Sequence, residues 1–288
     1  MKLLAIDGNS IINRAFYGIK ILTTKDGQYT NAVYGFINIL NRLIDMENPD
    51  GVAVAFDLKA PTFRHKANAA YKANRKGMPE ELAQQMPLIK ELLTDLGIKI
   101  IEQEGFEADD ILGTISRIFA DSGNECFILT GDRDSFQLVD DKVTVHLAGT
   151  KETKIYTPDR IMEEYGVTPI QMIDIKALQG DASDCIPGVA GVGQKTAGDL
   201  IQKFGTIKNI YDNIDTLEIK ENLKNKLLND KEKAFLSYTL GTIINNVPMN
   251  CELSDFIVRN IDEQKARAML ADLEMFKIID KLNFSAPT

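Results

Sequence analysis

Nine carboxylates stand in local patterns that ordinary surface acids do not form. Asp7 follows the apolar run KLLAI. Glu107, Asp109 and Asp110 share FEADD, Asp132 and Asp134 share TGDRDSF, and Asp181 and Asp184 share GDASD; Asp57 in AFDLKAP is the ninth. Taken singly, each has a plain explanation: acids in a first helical turn complement the helix dipole, and Asp beside Gly makes turns. Taken together, they would converge and repel one another unless a cation compensates. Hard divalent ions, Mg²⁺ or Mn²⁺, take carboxylate and water oxygens. Two such ions suit phosphodiester hydrolysis, by lowering the pKa of a bound water and by stabilising the attacking and leaving oxygens. Competing chemistries lack their residues. The only histidines are His65 and His146, and Cys126, Cys185 and Cys251 show no CxxC spacing. A disulfide framework and a zinc site are therefore disfavoured, and a reducing cytoplasm is expected.

The net charge of −9 at first opposes nucleic-acid binding. With the nine motif acids set aside, the remaining 33 acids are matched by 33 Lys and Arg, so the rest of the molecule is neutral and grouping decides. Residues 59–76, KAPTFRHKANAAYKANRK, group Lys59, Arg64, Lys66, Lys72, Arg75 and Lys76 with Phe63 and Tyr71 between them. A solvated helix face is the mundane reading. A gateway for a single strand is favoured by position, directly after Asp57, with Tyr71 for base stacking and Lys72 or Arg75 for phosphate. A cation there also suits the charge of a pentacoordinate transition state. Further on, IPGVAGVGQKTAGDLIQKFG places Gly188, Gly191 and Gly193 before a helix, with Lys195 and Thr196 in its first turn. Such glycines let backbone N–H groups approach an anion. A Walker A loop does not fit. A helix-hairpin type grip on the duplex backbone does, and it reads no sequence.

The elements that must position these groups are legible in outline. KLLAI (2–6), GVAVAF (51–56), IKII (98–101) and ECFILT (125–130) read as strands. Helical periodicity covers about 29–46, 79–96 and 108–119, the second closed by Gly97. Alternation of this kind predicts an α/β fold with a mostly parallel central sheet, whose strand C-termini collect binding groups. From about Thr157 strand signals vanish and short helices with Lys-rich surfaces follow, such as 220–226. The expected division is an α/β core over 1–175, carrying a basic arch at about 59–85, and a helical DNA-binding region over 176–288. No run reaches the roughly 20 apolar residues a membrane span needs, and the N-terminus reads as a buried strand rather than a leader.

In order along the chain, DGNSIINRAFY, NAVYGF, FDLKAPTFRH, YKANR, FEADD, TGDRDSFQL and GDASDCIPGVAGVGQKTA resemble the 5′-nuclease (flap endonuclease) superfamily. The resemblance is greatest to the 5′-3′ exonuclease domains found at the N-terminus of bacterial DNA polymerase I. It covers essentially the whole chain. It implies a PIN-like 5′-nuclease fold with a helical arch, and a helix-two-turn-helix at about 181–205. Asp7, Asp57, Glu107, Asp109 and Asp110 would serve a first metal region, and Asp132, Asp134, Asp181 and Asp184 a second, with Asp7, Asp109 and Asp132 at the chemistry. Lys72 and Arg75 would contact the scissile phosphate, with Arg14, Arg64 and Lys66 as further DNA contacts. Gly188 to Thr196 would hold duplex through a K⁺ ion. Implied substrates are DNA with 5′ flaps, nicks or branched ends, and RNA-primed ends. Implied too are primer removal and repair, a monomer linked covalently or functionally to a polymerase, and a bacterial cytoplasm near the nucleoid. Cys185 departs from the family's usual Asn.

Rival readings make different demands. A phosphatase or phosphoacceptor needs a second acid two residues after Asp7, where Asn9 stands. A non-catalytic branched-DNA binder would have lost some of the nine acids. A stand-alone flap nuclease with RNase H-like activity stays open, because nothing in the sequence reads the sugar 2′-position.

Overall fold

The structure, a computed structural model, describes residues 1–149, 152–257 and 260–282. Six strands form one sheet in the order β3-β2-β1-β4-β5-β6. They are β1 (Lys2–Asp7), β2 (Gly51–Ala55), β3 (Lys99–Ile101), β4 (Glu125–Thr130), β5 (Val143–Ala148) and β6 (Thr153–Tyr156). Neighbours from β3 across to β5 pair in parallel, and β6 closes the edge antiparallel to β5. β1 and β2 read as unbroken apolar runs because both faces of a parallel sheet are covered, and every residue of β2 is buried.

Helices cover both faces. α1 (Gly8–Gly18), α2 (Asn31–Glu47) and α5 (Gln85–Asp95) pack on one side with the C-terminal α13 (Glu263–Asp272) and α14 (Phe276–Lys281), around Leu4, Ile12, Phe36, Val54 and Leu92. α6 (Ala108–Asp121) lies on the other, over Leu3, Ala53, Ile128 and Val145. Because β1 lies between β2 and β4, successive crossovers leave it in opposite directions along the sheet. A crevice opens at its C-terminal end, the usual binding place in such sheets.

The segment between β2 and α5 crosses that crevice. It is helical only at α3 (Phe63–Ala67) and α4 (Glu80–Ala83); residues 69–74 are turn, so the expected helical arch is short and irregular here. Beyond β6 the chain is helical: α7 (Pro158–Tyr165), α8 (Met172–Gln179), α9 (Gln194–Phe204), α10 (Ile207–Asp212), α11 (Glu221–Asn229) and α12 (Lys231–Gly241). Ile175, Leu178, Val189, Val192, Ala197 and Leu200 join α8, the two turns after it and α9 in a core of their own. The division expected near residue 175 falls inside α8. No helix among the described residues is long and apolar enough to cross a membrane.

Candidate active site

Asp7 is the last residue of β1 and the N-cap of α1, its Oδ1 accepting from Ser10 N at 2.9 Å. Its Oδ2 accepts from the Thr130 hydroxyl at 2.9 Å, and Thr130 Oγ1 in turn accepts from Asp132 N at 3.0 Å. One threonine at the end of β4 thus ties two acids from neighbouring strands. Asp57 lies just past β2; its backbone N donates to Asn9 Oδ1 at 2.8 Å, and its Oδ1 accepts from Ala108 N at 2.7 Å, at the start of α6. With Glu107 and Asp109, these acids line one cavity of about 380 Å³, which Lys72 and Arg75 also line. Asn9, Ser10 and Thr130, which hold the acids in place, have no distinguishing sequence signal beyond their position beside Asp7 and Asp132.

Burial pushes the Asp7 carboxyl up to about 7, and the neighbouring charges of Asp57 and Asp132 add to it. Asp109 is raised well above the usual carboxylate range by burial and by Asp7, Asp132 and Asp57, and Asp57 is raised by burial and by Glu107. Asp109 Oδ1 is buried without a hydrogen-bond partner among the described residues. Crowded acids that resist ionisation, one with an orphaned oxygen, are the donor set a hard cation completes. The residues present fit a divalent ion.

A second group lies beside the first. Ligand oxygens of Asp134, Asp181 and Asp184 all come within 4.8 Å of one another. Asp132 lines the first cavity and also a second one that Asp134, Lys176 and Asp181 line, so it stands between the two regions. Its Oδ1 accepts from Asp134 N at 2.9 Å. Asp134 is raised to about 6 by burial and by Asp132. Lys176, from α8, reaches into this group and donates to Asp134 and to Asp181 at 2.8 Å. Nothing in the sequence singles it out, since it is one lysine in an ordinary helical stretch.

Several expected roles are corrected. Arg64 is 2% exposed and does not face solvent. Its guanidinium grips Asp110 through two bonds of 2.7 and 2.8 Å, and donates to Glu107 and to the carbonyls of Leu240 and Thr242. Asp110 also accepts from the backbone N of Glu107 and Ile244, so both its oxygens are engaged within the protein rather than free at the crevice. Tyr71 is 4% exposed, packed with Ile186 and Leu240, its hydroxyl donating to Glu107 at 3.1 Å. It anchors the crossing segment and is not open for base stacking. Gly188 is buried with φ +59°; its N donates to Ser237 Oγ at 2.8 Å, and a Cβ there would lie 2.3 Å from Gly180 N. It serves the turn, and its amide is not free for an anion.

Other expected residues lie at the crevice or at the surface. Lys72 takes a left-handed backbone (φ 54°), its N donating to the Asp184 carbonyl and its Nζ to Glu107 at 2.9 Å. Arg75 donates through Nε and Nη2 to Asp184 Oδ1. Both cations rest on the acids at the mouth of the crevice. Arg14 lies beside Gly131, and its Nε is buried without a partner among the described residues. Lys66 is exposed on α3. Gly191, Gly193 and Lys195 are exposed and Thr196 half-buried, Gly193 being the N-cap of α9 with open space around its Cα. Cys185 sits in the left-handed region (φ 57°), which asparagine tolerates better. His65 caps α3 through Thr62, and His146 is buried, so both are structural.

A family model described as 5′-3′ exonuclease, N-terminal resolvase-like domain, matches residues 2–166, and one described as 5′-3′ exonuclease, C-terminal SAM fold, matches 167–264. The chain belongs to the 5′-3′ exonuclease family. It is 42% identical over 289 residues to DNA polymerase I of Caldicellulosiruptor bescii, covering 99% of this chain and 34% of that protein. It is 40% identical to DNA polymerase I of Bacillus subtilis, covering 98% of this chain and 32% of the other. The chain therefore spans about a third of the length of these relatives. Among solved structures, T5 5′-exonuclease with bound zinc superposes with TM-score 0.70 at 21% identity, covering 99% of this chain and 100% of that one. The catalytic core of Rad2 in complex with DNA substrate gives 0.67 at 18%, covering 98% and 91%. At these identities the two structures establish the shared fold.

Proposed function

We propose that this chain is a structure-specific 5′-nuclease that cuts DNA phosphodiesters at the junction of a 5′ single strand and a duplex, using two Mg²⁺ or Mn²⁺ ions. The observation that carries this reading is the convergence of Asp7, Asp57, Glu107, Asp109 and Asp132 on one crevice, with Asp134, Asp181 and Asp184 beside it and two arch cations over the mouth. When bound, the ions would supply a water of lowered pKa and positive charge for the attacking and leaving oxygens. Asp7, Asp57, Glu107, Asp109 and Asp132 would hold the first ion, and Asp134, Asp181 and Asp184, with Asp132 shared, the second. Lys72 and Arg75, freed from Glu107 and Asp184, would bind and orient the scissile phosphate and meet its developing charge. Arg14 and Lys66 would contact the single strand.

The exposed turn from Gly191 to Thr196 would hold duplex through the free N–H groups at the start of α9, with K⁺ as the bridging cation. In this scheme the core to about residue 175 cuts and the helical region beyond it holds the duplex. Resemblance to DNA polymerase I across nearly the whole chain supports linkage to a polymerase in a bacterial cytoplasm, action as a monomer near the nucleoid, and nicked or RNA-primed substrates. A gel assay of a labelled 5′-flap duplex with Mg²⁺ tests the reading. Asp132→Asn and Asp184→Asn should each lower the cleavage rate by at least about a hundredfold while flap binding persists. Wild-type rates in both variants would sink it.

A further inference from the structure

The two acidic groups differ in what neutralises them within the folded chain. In the first cavity Lys72 reaches only Glu107, while Asp109 Oδ1 is left without a partner among the described residues. In the second, each carboxylate carries a protein cation: Lys176 bonds Asp134 and Asp181, and Arg75 bonds Asp184. The remaining oxygen of Asp181 is engaged by the backbone and hydroxyl of Ser183. A divalent ion entering this group would meet Lys176 on Asp134 Oδ2 and Asp181 Oδ2, and Arg75 on Asp184 Oδ1.

Those cations are not equally easy to move. The Arg75 side chain is 53% exposed on an irregular segment. Lys176 is 8% exposed and projects from the middle of α8. Its stem runs against Gly241 at the end of α12, where a Cβ would sit 3.5 Å from Lys176 Cγ and Cδ. The stem therefore lies alongside the end of α12, and the ammonium is held by burial as well as by charge. A buried ammonium beside two carboxylates both occupies ligand oxygens and repels an incoming dication.

We propose that Lys176 is a resident competitor for the second divalent ion: it neutralises Asp134 and Asp181 when ions are scarce and must leave before that site fills. The proposal rests on the two-ion reading given above. Its consequence is an ordered filling, in which the first cavity takes an ion at low concentration and the second only at higher concentration. Lys176 sets the interval between them. It is a positioning residue for the acids, with no contact to substrate required.

Calorimetric titration of the DNA-free chain with Mn²⁺ tests this, using wild type, Lys176→Met, Lys176→Gln, Lys176→Arg and Asp184→Asn. Methionine keeps the apolar stem and removes the charge; glutamine serves if methionine impairs folding. Wild type should bind one ion tightly and one weakly. Lys176→Met or Lys176→Gln should tighten the weak constant at least tenfold and leave the tight one within twofold, while Lys176→Arg keeps the wild-type pattern. Chelated Lys176→Met should also melt lower than chelated wild type and gain more on adding Mn²⁺. Two ions bound with wild-type constants in Lys176→Met and Lys176→Gln would overturn the competitor role alone. A single bound ion in wild type, unchanged in Asp184→Asn, would overturn the two-ion reading and the proposal with it.

Discussion

Arg64 shows how far the fate of one cation depends on its partners. It belongs to a run of basic residues that would suit phosphate, yet it meets Asp110 at 2.7 and 2.8 Å inside the protein. Burial alone would lower its pKa, but Asp110 and Glu107 outweigh burial and raise it, so the guanidinium stays charged. Removing one partner of a buried ion pair leaves the other charge uncompensated, a loss of about 3–5 kcal/mol. Arg64→Met should therefore lower the unfolding free energy measured in urea by about that amount. Flap affinity per folded molecule should stay near the wild-type value. A stable variant with weakened DNA binding would restore Arg64 as a phosphate contact. Arg75, half exposed on the same segment, has no such anchor beyond Asp184.

At the scale of elements, the turn between α8 and α9 separates two kinds of glycine that look alike in IPGVAGVGQKTAG. Gly188 has a left-handed backbone and presses on Gly180, whereas a Cβ at Gly193 would meet nothing within 4 Å. Alanine at 188 combines left-handed strain with a backbone clash, each worth about 1–3 kcal/mol. Gly188→Ala should cost roughly 2 kcal/mol or more in denaturant unfolding, and Gly193→Ala, which only weakens an N-cap, no more than about 1 kcal/mol. Equal losses would mean that the turn does not pack as described. The same turn delivers Asp181 and Asp184 to the second acidic group, with Asp181 and Ile186 bridged across it. Burial would push Asp181 up, but bonds from Lys176 and Ser183 prevail and hold it at about 2. A shifted turn would therefore disturb site and fold together.

For the whole molecule, the acids at the crevice make stability depend on pH and on ions. Asp7 ionises at about 7 in the folded chain and near its ordinary value of 3.8 when unfolded. Between those values the folded state binds more protons than the unfolded one, so stability falls as pH rises. Asp134, raised to about 6, and Asp57 and Asp109, also raised, act in the same direction. Below about pH 4 these groups are protonated in both states and the penalty disappears. Metal-free protein should thus lose melting temperature from pH 5 to pH 8 through these groups, and Mg²⁺ should restore it. A hundredfold excess over Kd gives about 2.7 kcal/mol, or roughly 5–10 °C. The gain should be larger at pH 8 than at pH 5 in paired melts with chelator and with Mg²⁺; equal gains would count against an ion among these acids.

By itself the sequence determined the four strands from β1 to β4, the order of the motifs and most of the acids at the crevice, but not β5 and β6. Apolar runs with both faces buried are visible as uninterrupted Val, Ile and Ala, as in β2, and an acid just past such a run must fall at a sheet edge. The tertiary structure decided which charges face outward and which pair inside. Asp110 and Asp109 are adjacent in FEADD, yet Asp110 is saturated by Arg64 and two backbone amides while Asp109 Oδ1 is left without a partner among the described residues. Tyr71 and Arg64 read as a DNA-facing surface until packing against Ile186 and Leu240 and the grip on Asp110 turn them inward. Lys176, 42 residues from Asp134, joins it only when α8 packs beside the 3₁₀ turn after β4. Local spacing sets which residues share an element, but a buried charge takes the partner that the fold brings to it.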